Sequence, residues 1–143
     1  KGELAQRRGE IRAATQIYAH YLKSNPTDKR VRAKLGGLYF QQGLDENAKI
    51  ELLKAVKKIQ TPEIFYQLGG IFHRQGQFRN ASGYYKKVLL KDPNHVDALI
   101  SSGEIFERQG NLREALIHFE RAYGLEPENE YIRGKIQKFR RSQ

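Results

Sequence analysis

The chain has 143 residues, of which 38% are hydrophobic, and a formal net charge of +10, which suits one soluble domain with a covered core. It lacks cysteine, which excludes disulfides, thiolate catalysis and the common zinc-finger patterns. No apolar run approaches the roughly 18 residues that span a bilayer, so the sequence predicts no membrane span. Because the chain begins at Lys1 and contains no methionine, we expect the natural protein to start upstream. Localisation is therefore left open, with the cytoplasm as the default.

Residues 1–28 form the first segment, which predicts the end of one helix followed by a complete second helix. Gly9 lies at the position of the predicted turn, because a slide of 34 residues places it on Gly43. Asn25-Pro26 ends the second helix, since proline disfavours a helical conformation in the residue before it.

Three full repeats follow, at residues 29–61, 62–95 and 96–129. A slide of 33 places residues 36–43 on 69–76, and a slide of 34 places these on 103–110. Each repeat has two apolar blocks at helical spacing around a glycine, as an antiparallel helix pair requires. The turn glycine suits a helix end because it adopts the left-handed conformation without a steric penalty.

Small residues mark the places where the two helices of each repeat should cross closely. A larger side chain at these positions would hold the helices apart. They are Gly36, Gly69 and Gly103 on the first helices, and Ala48, Ala81 and Ala115 on the second.

Residues 130–143 form the last segment. Ile132, Ile136 and Phe139 recur there at helical spacing, with Lys and Arg between them. This pattern predicts a C-terminal capping helix with one apolar and one solvated face.

These features resemble the tetratricopeptide repeat, in which Leu-Gly, an aromatic, a turn glycine, Ala, an aromatic and Pro follow in order. In the middle repeat they are Leu68-Gly69, Phe72, Gly76, Ala81, Tyr85 and Pro93. The family's frequent tryptophan is replaced by Arg32, Phe65 and Leu99, and the repeat ending at Thr61 lacks its proline. The resemblance implies an all-α fold, a right-handed superhelical array of antiparallel helix pairs stabilised by stacking.

The resemblance also implies a concave groove, lined by the first helix of each repeat, that binds a protein or peptide. Gly37 and Gly70 are costly in helix interiors, and we interpret them as opening the groove floor to a peptide. Sequence drift on an exposed face is the alternative. The predicted contact residues are Arg30, Lys34, Gly37, Phe40, Tyr66, Gly70, His73, Arg74, Ile100 and Glu104.

Charge along these helices runs from basic to acidic. Arg30 and Lys34 stand near the start, and Glu104 and Glu107 near the end. This order favours a ligand with an acidic and a basic end, although solvated helix faces also produce such mixtures. His73 would make binding mildly pH-dependent.

The four histidines have no partners at metal or catalytic-triad spacing, so we expect no enzyme activity, no cofactor and no metal. The sequence instead predicts a protein–protein interaction scaffold within a larger multi-repeat protein or assembly, with self-association through the array ends as a further option. The alternative is a basic nucleic-acid-binding module, which the net charge and the groove aromatics favour.

Overall fold

The computed structural model describes residues 2–141, which form eight α-helices and no strand, and this confirms the predicted all-α class. None of the described helices combines the length and the apolar character that crossing a membrane requires. The helices are α1 Gly2–Ser24, α2 Lys29–Gln41, α3 Asp45–Ala55, α4 Pro62–Arg74, α5 Phe78–Lys91, α6 Val96–Arg108, α7 Leu112–Leu125 and α8 Glu130–Arg141.

The chain divides into two compact units between Ile71 and Phe72, inside α4. In the first unit α2 packs against α3, and α1 packs against α2. In the second unit α6 packs against α7, while α5 contacts α6 and α8 contacts α7. Each unit is thus a stack of helices in chain order.

Glycines end the first helix of three pairs, as the sequence predicts. Gly43, Gly76 and Gly110 have φ values of 74°, 74° and 77°, in the left-handed region that favours glycine. After Gly43, the amide of Leu44 donates to the carbonyl oxygen of Tyr39 at 2.9 Å. Equivalent bonds follow the other two glycines, so each turn satisfies carbonyl groups that a helix end leaves unpaired.

The predicted helix crossings are confirmed within each unit. Ala48 and Ala115 are fully buried. A Cβ atom added to Gly36 would lie 2.7 Å from Leu52 side-chain atoms, and one added to Gly103 would lie 2.9 Å from Phe119. Only glycine therefore lets these helices approach as closely as they do.

The predicted turn at Gly9 is wrong, because α1 continues as one helix from Gly2 to Ser24. The turn glycines elsewhere follow first helices of 13 residues, such as α2 and α6. Only residues 2–8 precede Gly9 in the described part of α1, and all of them are exposed. So short a segment gains little by folding back, and the continuous helix keeps its backbone hydrogen bonds.

An ion pair replaces the family's tryptophan in the first unit. Arg32 donates to Glu51 Oε1 at 2.7 Å, and the two side chains are only 14% and 12% exposed. Arg32 also donates from Nη2 to the carbonyl oxygen of Pro26 at 2.8 Å. The pair therefore ties α2 both to α3 and to the loop before α2.

The apolar face of α8 is buried in the second unit. Ile132, Ile136 and Phe139 are at most 5% exposed and belong to a cluster with α6 and α7 residues. The rings of Phe119 and Phe139 stack with centroids 5.8 Å apart. Polar residues, among them Arg133 and Arg140, cover the outer face of α8 and keep it in solvent.

Candidate ligand-binding site

A cavity of about 430 Å³ lies within the first unit, between α1, α2, α4 and the loop before α4. We call it the first-unit pocket. Its size falls within the range of small-ligand sites in proteins. It is lined by Ala14, Tyr18, Arg30, Ala33, Lys34, Gly37, Leu38, Gln41, Ile59, Thr61, Glu63, Ile64 and Gln67.

Capping at the start of α2 positions the basic side of the pocket. The Asp28 carboxylate accepts from the Val31 amide at 3.1 Å and from the Tyr21 hydroxyl at 2.9 Å. Both hydrogen bonds stabilise the charged form, so the pKa of Asp28 lies below its usual value. Arg30 and Lys34 follow one helical turn apart on the same face of α2, and both are exposed.

The opposite side of the pocket is set by the start of α4. Thr61 Oγ1 accepts from the Ile64 amide at 3.3 Å, and Pro62 begins the helix, where its missing N–H is not needed. Glu63 and Gln67 then point into the pocket one turn apart. Among the lining residues the structure describes, Glu63 is the single carboxylate, so the rim of the pocket is basic.

Gly37 and Gly70 are both approached by side chains of the first unit itself. A Cβ atom added to Gly37 would lie 3.3 Å from Nε2 of Gln67, and one added to Gly70 would lie 3.3 Å from Cε1 of Phe40. Both glycines therefore have a packing role, because they let a neighbouring side chain lie on the helix backbone. The sequence offered no sign of these two partners.

The structure brings three of the six predicted contact residues of the first unit together. Arg30, Lys34 and Gly37 line the first-unit pocket, whereas Phe40, Tyr66 and Gly70 are not among its lining residues. The sequence prediction missed the α1 residues of the pocket. Ala14 and Tyr18 were aligned with buried packing positions, and that signal indicated a core rather than a surface.

In the second unit, His73 lies in an aromatic setting. Its Nδ1 is 3.1 Å from the Tyr85 hydroxyl, and its ring makes edge contacts with Phe78 and Tyr85. Burial lowers the pKa of His73 below its usual value, while the nearby Glu104 opposes that shift. His73 is therefore held neutral by its surroundings more than an exposed histidine would be.

The acidic residues predicted for the groove already have partners on α8. Glu104 accepts a hydrogen bond from the Tyr131 hydroxyl. Glu107 pairs with Lys135 at 2.6 Å and with Lys138 at 3.5 Å. Burial and the Glu104 carboxylate raise the pKa of Tyr131, which keeps its hydroxyl a donor.

The remaining predicted residues of the second unit do not form a site around these groups. Arg74 is exposed, and Ile100 is half-buried against the cluster of α6, α7 and α8. In residues 2–141, no group of three or more His, Cys, Asp or Glu side chains is arranged to hold a metal ion.

The family model for the tetratricopeptide repeat matches residues 1–62 and 66–130. The chain belongs to the tetratricopeptide repeat family. Members of this family generally mediate protein–protein interactions and are generally non-catalytic.

Individual relatives support the same placement. The uncharacterized protein ycf37 of Cyanophora paradoxa is 30% identical, over 71% of this chain and 62% of that protein, so the chain spans less than two thirds of that relative. The crystal structure of MamA superposes with a TM-score of 0.86 at 21% identity, over 99% of this chain and 83% of MamA. YrrB, described as a TPR protein with an unusual peptide-binding site, gives 0.82 at 20% identity, over 96% of this chain and 71% of YrrB. The two structures confirm the all-α solenoid fold.

Proposed function

We propose that this chain is a non-catalytic interaction module that binds a peptide segment of a partner protein in the first-unit pocket, within a larger protein or assembly. The observation that carries the proposal is a cavity of about 430 Å³ with a basic rim and an apolar floor in a tetratricopeptide chain. A peptide-binding site in the structural neighbour YrrB is consistent with it.

The lining indicates what kind of peptide fits. Tyr18, Leu38 and Ile64 offer apolar surface for one or more apolar side chains. Arg30 and Lys34 stand at the rim and would attract a carboxylate. Because both cations are exposed, each ion pair would contribute only about 0.2–1 kcal/mol, so the apolar floor would supply most of the affinity.

A peptide array tests the proposal. Acidic, neutral and basic peptides with a central apolar residue are probed with the wild-type chain and with an Arg30→Glu, Lys34→Glu variant. A Lys57→Glu, Lys58→Glu variant is the matched control, because it changes the net charge equally at exposed positions outside the pocket. We expect acidic apolar peptides to bind the wild type and the control, and to lose about tenfold or more in affinity with the pocket variant. Equal losses in both variants would show that net charge, rather than the pocket, attracts the peptides.

Nucleic acid is the competing ligand, since the ring of Tyr18 lines the same cavity as the two rim cations. Stacking of bases on an aromatic ring beside a basic rim would be its mechanism. Titration of a single-stranded oligonucleotide at low and physiological salt distinguishes the two ligands. Peptide binding through the apolar floor should change little with salt, whereas nucleic-acid binding should fall steeply.

A further inference from the structure

The first residues of α1 carry the sequence of a first-helix end but do not occupy its position. Gly2-Glu3-Leu4, Arg7 and Gly9 repeat the spacing of Gly103-Glu104-Ile105, Arg108 and Gly110 at the α6 turn. Gly110 has a φ of 77° and reverses the chain. Gly9 instead lies inside the continuous helix α1, so residues 2–8 extend away from the helix on which they would otherwise pack.

The surface that such a segment would cover is left open on the same helix. Ala14 and Tyr18 of α1 correspond to Ala115 and Phe119, which are fully buried beneath α6. In α1, both counterparts are only half-buried. Ile17 is 65% exposed. The helix α1 therefore shows a second-helix face without a first helix on it.

The complementary half of this contact is also exposed. Leu4 is 56% exposed, whereas its counterpart Ile105 is fully buried. Each chain thus carries an unburied first-helix segment and an unburied seat for it, on one straight helix. Such an open hinge is the state from which two copies can exchange identical segments.

We propose that two copies of this chain pair through α1, so that residues 2–8 of each copy cover the Ala14–Tyr18 face of the other. The pairing is antiparallel and two-fold symmetric, and it keeps Gly9 in its helical conformation. The same register places Glu10 of one copy beside Arg12 of the second copy, and the symmetry repeats this pair of opposite charges. This self-association is separate from peptide binding in the first-unit pocket.

Crosslinking of single-cysteine variants tests the pairing, because the natural chain has no cysteine. Ala5→Cys and Ile17→Cys place thiols at the counterparts of Phe106 and His118, whose rings are 5.0 Å apart in the second unit. On a straight α1 these positions are about 18 Å apart, which is beyond a short bis-maleimide. A mixture of the two variants should give a crosslinked species of twice the 16.6 kDa chain mass, and neither variant alone should.

Two other crosslinking outcomes overturn the proposal. If the mixture stays at the mass of one chain, the copies do not exchange this segment. If a chain carrying both substitutions is crosslinked within itself, the seat is filled by the chain's own residues 2–8, folded back at Gly9. An unchanged yield in the Arg30→Glu, Lys34→Glu background would show that the pairing does not depend on the pocket rim.

Light scattering over a range of concentrations measures the same contact without labels. Leu4→Glu should raise the dimer dissociation constant by about tenfold or more, because a charge would replace a buried leucine. Leu90→Glu is the matched control, since Leu90 lies on α5 and is 75% exposed. A chain that is monomeric at every concentration, or equal effects of the two substitutions, would contradict the pairing.

Discussion

Gly103 offers a direct test of how closely α6 and α7 pack. A Cβ atom at this position would lie 2.9 Å from Cζ of Phe119 and 3.1 Å from both Cε atoms of the ring. The ring has little room to withdraw, because Phe119 is fully buried and stacks on Phe139. Gly103→Ala should therefore force α6, or the ring, to move.

The magnitude follows from comparison with a glycine that has no such neighbour. Gly83 lies inside α5, and a Cβ atom added there would meet nothing within 4 Å. Alanine is favoured over glycine by about 1 kcal/mol in a helix interior, and this gain is common to both substitutions. The difference between the two variants therefore isolates the steric cost, which we expect to be about 1–3 kcal/mol.

Urea unfolding followed by circular dichroism measures both variants against the wild type. Gly83→Ala should raise the midpoint and Gly103→Ala should leave it below that of Gly83→Ala, with similar m-values, so that only stability has changed. If Gly103→Ala stabilises the chain as much as Gly83→Ala does, the close crossing of α6 and α7 is not required for stability and the packing argument is wrong.

Two further predictions concern charged groups. Because burial lowers the pKa of His73, the unfolded chain binds its proton more readily, so stability is present above about pH 6.5 and is lost as the pH falls. His73→Gln should flatten the dependence of unfolding free energy on pH between about 5 and 7, and an unchanged slope would contradict this. Arg32→Leu should cost about 2–3 kcal/mol by leaving Glu51 mostly buried without its cation, somewhat less than for a fully buried pair. Arg32→Leu with Glu51→Leu should recover most of that loss in the same unfolding assay, whereas a single-variant cost typical of an exposed pair would refute the assignment.

The sequence predicted those parts of the fold that depend on local chemistry. Glycine at Gly43 and Gly76 is needed where the chain turns with a positive φ, and the structure confirms both. Gly36 is needed where two helices cross, and the contact with Leu52 confirms it. Each of these requirements acts within one repeat, so a repeated pattern reveals it.

The sequence did not predict features that depend on what lies across a helix. Gly9 matches the turn pattern, but residues 2–8 lack the burial that would fold them back. Arg32 was seen as a missing tryptophan, and its pairing with Glu51 of α3 could not be read from spacing alone.

The pocket and the acidic residues failed in the same way. The α1 side of the first-unit pocket, with Tyr18, comes from a helix whose partner position is empty in the described chain. Glu107 was assigned to a ligand, whereas α8 supplies its lysine partners. Side-chain partners chosen by packing between helices leave no periodic signal in the sequence.

The proposed pocket is tested most directly by nuclear magnetic resonance of the labelled chain during titration with the tightest acidic apolar peptide from the array. Occupation of the first-unit pocket should shift the amide resonances of Gly37, Thr61 and Gln67, and the Arg30→Glu, Lys34→Glu variant should abolish these shifts. Shifts confined to α7 and α8, with those three amides unmoved, would contradict the proposal.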